Sequence, residues 1–302
     1  MTMPDDFAAL ILTHRRPDRQ MTLRTLQRSG YTGKVYLVVD DQDPTLPEYQ
    51  RLYGGMVVVF DKRAAWALTD DADNTGGMRG VVYARNMCWD IAKRLGLRYF
   101  IELDDDYTDF VLRFDGRLRY VGTMIRHSLD RVIEAMLQWL IDCPQLTCIA
   151  MSQGGDHIGG EASLFNKHGP IAKRKVMNTF VCAVDRPFNF YGRINEDATA
   201  YVTLGRKGQV FLTPLQVQCN QVQTQANPGG LTEIYLDAGT YYKSFLTVMW
   251  EPSCVKVGVM GSPTETGDAH YRLHHWIDWK RAVPCIIRES LRKPDDEVPD
   301  AD

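Results

Sequence analysis

The feature that most constrains the fold is a series of short apolar segments that alternate with longer amphipathic ones. Residues 8–13 (AALILT) form an apolar run that is typical of a parallel strand buried on both faces. Similar runs predict further strands at 35–39, 56–60, 99–103 and 148–151. Parallel strands need long crossover connections, so the segments between these runs are expected to contain helices.

The helices predicted between these strands have recognisable ends. Pro17 is placed to open a helix that Gly30 stops, and residues 81–95 predict a second helix that Gly96 closes. A third, strongly amphipathic helix follows Ser128, whose side chain is suited to a helix N-cap. This alternation predicts an α/β fold with a Rossmann-like, doubly wound, mostly parallel sheet and helices on both faces.

The composition excludes several classes of protein. No run approaches the roughly 18 apolar residues of a membrane span, and the acidic start at residues 1–6 is unlike a secretory signal. The seven cysteines are scattered without a CxxC pair, which indicates small buried residues in a reducing compartment. We therefore expect a cytoplasmic protein without a membrane partner. The net charge of −3 counts mildly against nucleic-acid binding.

Polar side chains follow several of the predicted strands. Ligands of open α/β sheets lie beyond the carboxyl ends of the strands, where the crossover helices also begin. Four segments deliver polar groups to this edge: Thr13 to Arg16, Asp40, Arg85 with Asn86, and Asp104 to Asp106. Each group alone is more often a turn or a surface residue, but their order and spacing together favour a ligand site.

The chemistry of these residues fits a nucleotide diphosphate. Asp40 can accept hydrogen bonds from a nucleoside, Arg15 offers a planar fork to phosphate, and Asn86 can pair with a base edge. The three consecutive aspartates would repel a pyrophosphate, so they need a hard divalent cation such as Mg²⁺ or Mn²⁺ between. The sequence has neither a GxxxxGK[ST] loop nor a GxGxxG motif after the first strand, which disfavours ATPases and dinucleotide enzymes.

Residues 83–106, YARNMCWDIAKRLGLRYFIELDDD, resemble the core of GT-A glycosyltransferases, in which an Arg-Asn helix leads into a strand ending in a DxD motif. The resemblance implies a GT-A-type fold in which Asp104 and Asp106 hold the cation. It also implies contacts to a nucleotide-diphosphate sugar, expected to be a UDP-sugar, from a set of rim residues: Thr13, Arg15, Asp40, Arg85, Asn86, Asp104 and Asp105.

The second half of the chain narrows this resemblance. Five stretches are similar to the TET-associated glycosyltransferases of bacteriophages: 152–160, 173–208, 224–230, 235–257 and 274–287. The resemblance implies transfer of a hexose or N-acetylhexosamine onto a 5-hydroxymethylpyrimidine in phage DNA, with 5-hydroxymethylcytosine as the expected base. It also implies a functional link to a TET-like hydroxylase in the cytoplasm of an infected host.

We interpret residues 1–292 as a single GT-A domain. Residues 1–151 form its nucleotide-sugar-binding half, and residues 152–292 form a less regular acceptor-side half with short strands and a helix after Asn195. Residues 293–302 are rich in Pro and Asp and are expected to form a flexible tail.

The resemblance also indicates catalytic and metal-binding residues in the second half. GT-A enzymes often take their base from the start of a helix beneath the acceptor, which points to Asp197 and, second, Glu196. Acidic residues also suit a first helical turn because of the helix dipole, so a structural role is the alternative. A C-terminal histidine commonly completes the metal site. His274 and His275 are expected on opposite faces of an extended chain, and we favour His275 as the ligand.

The candidate DNA-binding residues are basic. They are Lys167, Lys173, Arg174 and Lys175, with Arg113, Arg117 and Arg119 after the aspartate triplet, although charged runs are usually solvated faces. The main alternative function is a GT-A enzyme that glycosylates a protein, lipid or polysaccharide, which the near-neutral charge favours. Two others are a sugar-phosphate nucleotidyltransferase, whose Gly-rich loop is missing, and a non-catalytic nucleotide-sugar or DNA-binding module.

Overall fold

The computed structural model of the chain describes residues 3–72, 77–162, 178–222, 231–263 and 269–282. The strands are β1 Phe7–Leu12, β2 Lys34–Asp40, β3 Val57–Phe60, β4 Tyr99–Asp104, β5 Tyr107–Phe114, β6 Tyr120–Met124, β7 Leu146–Ala150, β8 Ser152–Gln153, β9 Thr179–Ala183, β10 Val210–Leu212, β11 Val217–Gln221, β12 Val255–Pro263 and β13 Ala269–Ile277. The helices are α1 Met21–Ser29, α2 Leu46–Tyr53, α3 Lys62–Ala67, α4 Val82–Arg94, α5 Leu129–Asp142, α6 Glu196–Arg206, α7 Leu231–Trp250 and α8 Trp279–Ala282.

The main sheet has the strand order β10-β7-β9-β4-β1-β2-β3. Neighbouring strands are parallel except β9, which runs antiparallel to both β4 and β7. The strands predicted from apolar runs are all present, and each end lies within two residues of the predicted one. The mostly parallel α/β sheet predicted from the sequence is therefore confirmed.

Two apolar cores cover the two faces of this sheet. Alternate residues of β1 point to opposite sides: Leu10 packs in the core that contains α4, whereas Ile11 packs in the core that contains α1 and α5. Ile91 of α4 and Ile133 of α5 are both fully buried. Burial of a large aliphatic side chain contributes about 1.5–3 kcal/mol, so these two layers fix the helices that carry the rim residues.

The helix ends agree with the sequence in part. Gly30 ends α1 with a left-handed φ of 82°, and a Cβ there would lie 2.4 Å from the His127 Cα, so only glycine fits. The prediction that Pro17 opens this helix was wrong. Gln20 donates hydrogen bonds to Thr13 and to the Arg16 carbonyl, which holds the preceding residues in a turn.

The remaining strands form two smaller sheets that the sequence reading did not resolve. One has the order β6-β5-β11-β8, and the other is the antiparallel pair of β12 and β13. Because β5 follows β4 after only two residues, Asp105 and Asp106 form the turn between two sheets, and Asp104 ends the strand before it. Helix α7 packs on the β12–β13 pair and is kinked at Gly239, whose φ is 69°.

Two expectations from composition can be compared with the described residues. In this part of the chain, no helix combines the length and apolar character that a membrane span requires. The six described cysteines are unpaired, and all but Cys143 are buried, as predicted from their scattered spacing.

Candidate active site

The middle aspartate of the triplet faces the loop after β1. Thr13 donates a hydrogen bond from Oγ1 to Oδ2 of Asp105 at 2.8 Å, and Arg16 donates from a terminal guanidinium nitrogen to Oδ1 at 2.9 Å. The Asp105 residue is only 6% exposed. Burial raises the pKa of its carboxyl group, although the Arg16 charge opposes that shift. Thr13 and Asp105 thus lie together at the predicted edge. They were predicted to bind the donor, whereas in the structure Asp105 is bound by Thr13 and Arg16.

The first aspartate belongs to a buried ionic cluster around Arg85. The guanidinium donates from Nε to Glu196 at 2.9 Å, and its two terminal nitrogens donate to Glu102 at 2.5 Å and to Asp104 at 2.9 Å. The Arg85 side chain is 3% exposed, whereas that of Asp104 is 25% exposed. Asp104 therefore offers carboxylate surface to the rim, while Arg85 lies behind it.

Three carboxylates around one guanidinium leave an excess of negative charge. Burial raises the pKa of Glu102 and of Glu196 to about 7 in each case, against the opposing effect of Arg85. The pKa of Asp104 is raised by burial and, next, by the charge of Asp197. Because Arg85 binds both Asp104 and Glu196, the start of α6 and the end of β4 lie at one site.

The third aspartate lacks such a partner. Within the described ranges, no cationic side chain pairs with the half-buried Asp106. Burial and the charges of Asp104 and Asp105 raise the pKa of Asp106 to about 7. A carboxylate held at this cost beside another partly exposed carboxylate fits a hard divalent cation, whose charge would reverse the repulsion.

The two acidic residues at the start of α6 have different surroundings. Glu196 is bound by Arg85, whereas Asp197 accepts a hydrogen bond through Oδ1 from the backbone N–H of Ala198 at 2.7 Å. The preceding Asn195 adopts a left-handed φ of 64° and donates from its amide to Thr247 Oγ1. This strained residue sets the direction in which α6 begins. The helix predicted after Asn195 is confirmed.

The histidine pair lies near the α6 terminus. His275 is 4% exposed, and its Nδ1 lies 3.3 Å from the amide nitrogen of Asn195. The expectation that His274 and His275 diverge was wrong, because their ring centroids are 4.3 Å apart. His275 as a metal ligand remains a prediction.

A second cluster of potential ligand atoms lies at the ends of β1 and β2. Among the described residues, His14, Asp40 and Asp43 are the one trio of such groups whose ligand atoms lie within 4.8 Å of one another. His14 Nδ1 lies 2.8 Å from Asp40 and 3.3 Å from Asp43, and Lys62 Nζ lies 3.3 Å from Asp40. From the sequence we placed His14 and Asp40 at this edge, assigned a role only to Asp40, and missed Asp43. His14 and Asp43 were visible in the THRR and DDQD stretches, but their pairing depends on the β1–β2 register.

Electrostatics hold this cluster together. Burial lowers the pKa of His14, but hydrogen bonds to Asp40 and Asp43 outweigh it and raise that pKa overall. Burial tends to raise the pKa values of Asp40 and Asp43. Hydrogen bonds from His14 and other donors outweigh burial, so both pKa values are lowered overall. Arg15 donates its backbone N–H to Asp43 at 2.7 Å and leaves its own side chain exposed at the rim, as a phosphate ligand requires.

Asn86 and the basic residues 173–175 are not among the residues that meet at this edge of the sheet in the described structure. Asn86 donates from its amide to Thr69 and to the Phe190 carbonyl, and accepts from the Phe190 N–H at 2.8 Å. Its predicted contact with a base would need these bonds to break. Lys173, Arg174 and Lys175, the candidate DNA-binding residues, fall outside the described residues.

The sequence of the chain matches a known protein family. The family described as TET-Associated Glycosyltransferase matches residues 7–230, which is well over half of the chain. The chain belongs to the TET-associated glycosyltransferase family. This member is therefore a glycosyltransferase, and its mostly parallel α/β sheet is the architecture predicted from the sequence.

Solved structures give more distant similarities to this TET-associated glycosyltransferase. The mannosyltransferase PcManGT from Pyrobaculum calidifontis, in complex with GDP-Man and Mn²⁺, has a TM-score of 0.44 at 12% identity over 82% of this chain and 66% of its own. S. aureus TarS 1–349 with UDP-GlcNAc has a TM-score of 0.42 at 10% identity, over 82% and 67%. GalNAc-T7 with UDP, GalNAc and Mn²⁺ has a TM-score of 0.42 at 11% identity, over 80% of this chain and 49% of its own.

The extent of these matches differs from one relative to another. The chain spans about two thirds of the first two structures and about half of the third. No curated protein matches the sequence significantly.

Proposed function

We propose that this glycosyltransferase moves a sugar from a nucleotide-diphosphate sugar to the hydroxyl group of a 5-hydroxymethylpyrimidine in DNA, with 5-hydroxymethylcytosine as the first acceptor to test. The proposal is supported by the carboxylates of Asp104, Asp106 and Asp197, which follow β4 and begin α6, and by Arg85, which binds both Asp104 and the first residue of α6 at the edge of the sheet where ligands bind. The DNA acceptor is supported by membership of a family that is named for its association with TET proteins.

The donor fits the rim in three parts. The partly exposed His14 and the buried Asp40 and Asp43 carboxylates next to it supply hydrogen-bonding groups for a nucleoside, with Asp40 as the predicted contact, and a UDP-sugar is the donor to test first. Arg15 extends towards solvent from the same loop and can pair with a phosphate. Asp104 and Asp106 would hold Mn²⁺ or Mg²⁺, with His275 as a third ligand. The bound cation supplies charge neutralisation for the diphosphate leaving group.

Asp197 is the proposed base. Its carboxylate accepts the proton of the hydroxymethyl group while that oxygen attacks the anomeric carbon of the sugar. The new C–O bond replaces the bond between the anomeric carbon and the diphosphate, which leaves with the bonding electron pair. This assignment is for an inverting reaction. Glu196 was the second choice and is engaged with Arg85, so Asp197 is the better placed of the two.

Access to DNA does not require a large opening. A hydroxymethyl group at C5 projects into the major groove, so groove access is sufficient; flipping the base out would cost a few kcal/mol. Lys173, Arg174 and Lys175 remain the proposed phosphate contacts. In this scheme a TET-like hydroxylase supplies the acceptor, and the reaction takes place in the cytoplasm of an infected bacterium.

The experiment combines a donor panel with matched acceptors. Purified protein with Mn²⁺ is incubated with UDP- and GDP-sugars and with DNA that carries cytosine or 5-hydroxymethylcytosine, and the digested nucleosides are analysed by mass spectrometry. We expect a hexose or N-acetylhexosamine adduct only on the hydroxymethylated base, and none with Asp106→Ala. Donor turnover without any DNA adduct would refute the acceptor and favour the protein, lipid or polysaccharide alternative. Absence of metal-dependent donor turnover would favour a non-catalytic module.

A further inference from the structure

Arg85 has surroundings that a donor-binding residue does not need. Each of its three guanidinium nitrogens has a carboxylate partner: Nε bonds to Glu196, and the two terminal nitrogens bond to Glu102 and Asp104. The rings of Phe180 and Phe190 lie 5.3 and 5.6 Å from the guanidinium carbon. The group is therefore closed in by charge and by aromatic faces, and it is removed from solvent.

The three carboxylates come from parts of the molecule that carry different chemistry. Asp104 ends β4 and is a proposed metal ligand, whereas Glu196 begins α6 and precedes the proposed base Asp197. Glu102 lies on the same strand, two residues before Asp104, and is fully buried. One rigid, planar side chain thus joins the metal-binding end of the sheet to the helix that bears the base.

We propose that Arg85 is a positioning residue that fixes the Asp104 carboxylate and the first turn of α6 relative to each other, with Glu196 as its anchor. This inference rests on the proposed function, because it concerns the same metal and base. If Arg85 turned to a donor phosphate, it would leave buried carboxylates without a counter-charge, which is strongly unfavourable. Lysine cannot replace it, since an ammonium group lacks the planar fork that reaches three partners at once.

The test measures metal affinity, stability and kinetics on the same variants. Arg85→Lys, Glu196→Gln and Glu196→Ala are compared with the wild type by calorimetric titration with Mn²⁺, thermal melting, and kcat and KM for donor hydrolysis. Arg186→Lys is the matched control. Its guanidinium donates to the Leu140 and Leu146 carbonyls at the opposite edge of the sheet, so it reports loss of a structural arginine away from the site.

We expect the Arg85→Lys variant to bind Mn²⁺ about 10–100-fold more weakly, the loss typical when a group that orients a metal ligand is changed. Its kcat should fall by about 100-fold because the base is misplaced, while the donor KM changes less. The Arg186→Lys variant should melt earlier but keep wild-type Mn²⁺ affinity. The glutamine side chain in Glu196→Gln retains an oxygen that accepts from Arg85. The kcat of Glu196→Gln should therefore be at least about tenfold higher than that of Glu196→Ala.

A folded Arg85→Lys variant with wild-type Mn²⁺ affinity and kcat would overturn the inference. If that variant does not fold, the position-196 pair decides: equal losses in Glu196→Gln and Glu196→Ala would mean that the charged carboxylate acts directly and not as an anchor. Wild-type protein that binds no Mn²⁺ would refute both this inference and the proposed metal site. Wild-type protein that binds Mn²⁺ and hydrolyses donor without modifying DNA would refute the acceptor alone, leaving the Arg85 result interpretable.

Discussion

Thr13 and Asp105 are joined by a hydrogen bond of 2.8 Å between Oγ1 and Oδ2, across the ends of β1 and β4. Because this bond and the ion pair with Arg16 saturate Asp105, the three consecutive aspartates differ in role. Asp104 is held by Arg85, Asp105 fastens the β1 loop, and Asp106 has no cationic partner among the described residues. Three identical residues in sequence thus have three different environments, because their neighbours in the fold differ.

The first prediction separates Asp106 from Asp105. Asp106→Asn should abolish Mn²⁺ binding and reduce sugar transfer more than about 100-fold, since a metal ion stabilises the transition state by several kcal/mol. It should not lower the Tm of the metal-free protein, because it removes a carboxylate that two neighbours repel. Calorimetric titration and thermal melting of the same sample check both statements.

Asp105→Asn is the matched variant and should do the reverse. It removes the charge from the group that accepts the Arg16 hydrogen bond at 2.9 Å, so the free energy of unfolding should fall by about 1–3 kcal/mol. Mn²⁺ should still bind. If Asp105→Asn lost the metal and Asp106→Asn kept it, the assignment of these two carboxylates would be reversed.

The second prediction concerns the base. Asp197→Asn should lower kcat for transfer by about 10²–10⁴-fold, the usual contribution of a general base, with little change in donor KM or Mn²⁺ affinity. The amide keeps the size of the side chain and an oxygen for the Ala198 N–H, so the helix start should remain intact. Rapid-quench and steady-state assays with hydroxymethylated DNA measure the effect. Transfer at near-normal rate would assign Asp197 to the helix dipole alone.

The third prediction is a pH dependence of stability that arises from His14. Its pKa is raised in the folded protein, so its stabilising interaction is complete below its unfolded value near 6.5 and is lost as pH rises through the folded value. Asp40 and Asp43 have lowered pKa values, so their part is present above about 3.8 and is lost as pH falls further. The cluster therefore stabilises the fold most between these limits.

His14→Gln should accordingly lower the Tm more at pH 5.5 than at pH 8, because the folded His14 loses its charge as the pH rises through its raised pKa. His127→Gln is the control, since His127 is exposed and outside the cluster. Its effect on Tm should be the same at both pH values. A His14→Gln effect that grew with pH would show that neutral His14 is the stabilising form.

Much of the central sheet could be predicted because its signal is local. Buried parallel strands read as apolar runs, and β1, β2 and β4 were found with their polar ends. The rim followed from the rule that ligands bind at the carboxyl ends of such strands. Identical physical reasoning placed α5, whose apolar face repeats at the helical period.

The parts that were missed depend on partners distant in sequence. The antiparallel direction of β9 is set by its pairing with β4 and β7, and nothing within residues 179–183 encodes it. Asn86 looked like a ligand because its amide suits a base edge, but Phe190, far along the chain, takes both its donor and its acceptor. Arg85 was assigned to the donor for the same reason: its neighbours from α6 were invisible to local spacing.

The last prediction concerns Asn195, which supports α6 in two separable ways. Its left-handed backbone costs a residue with a Cβ roughly 1–2 kcal/mol, and asparagine and glycine tolerate it best. Its side chain also bonds to Thr247 and contacts His275.

Asn195→Gly should lose only the side-chain bonds, whereas Asn195→Ala should lose them and add the backbone cost. Chemical denaturation should therefore rank stability as wild type, then glycine, then alanine, with the last two about 1 kcal/mol apart. Equal stability of the two variants would mean that the backbone of Asn195 relaxes, and then kcat in the alanine variant should fall further because the first turn of α6 carries Asp197.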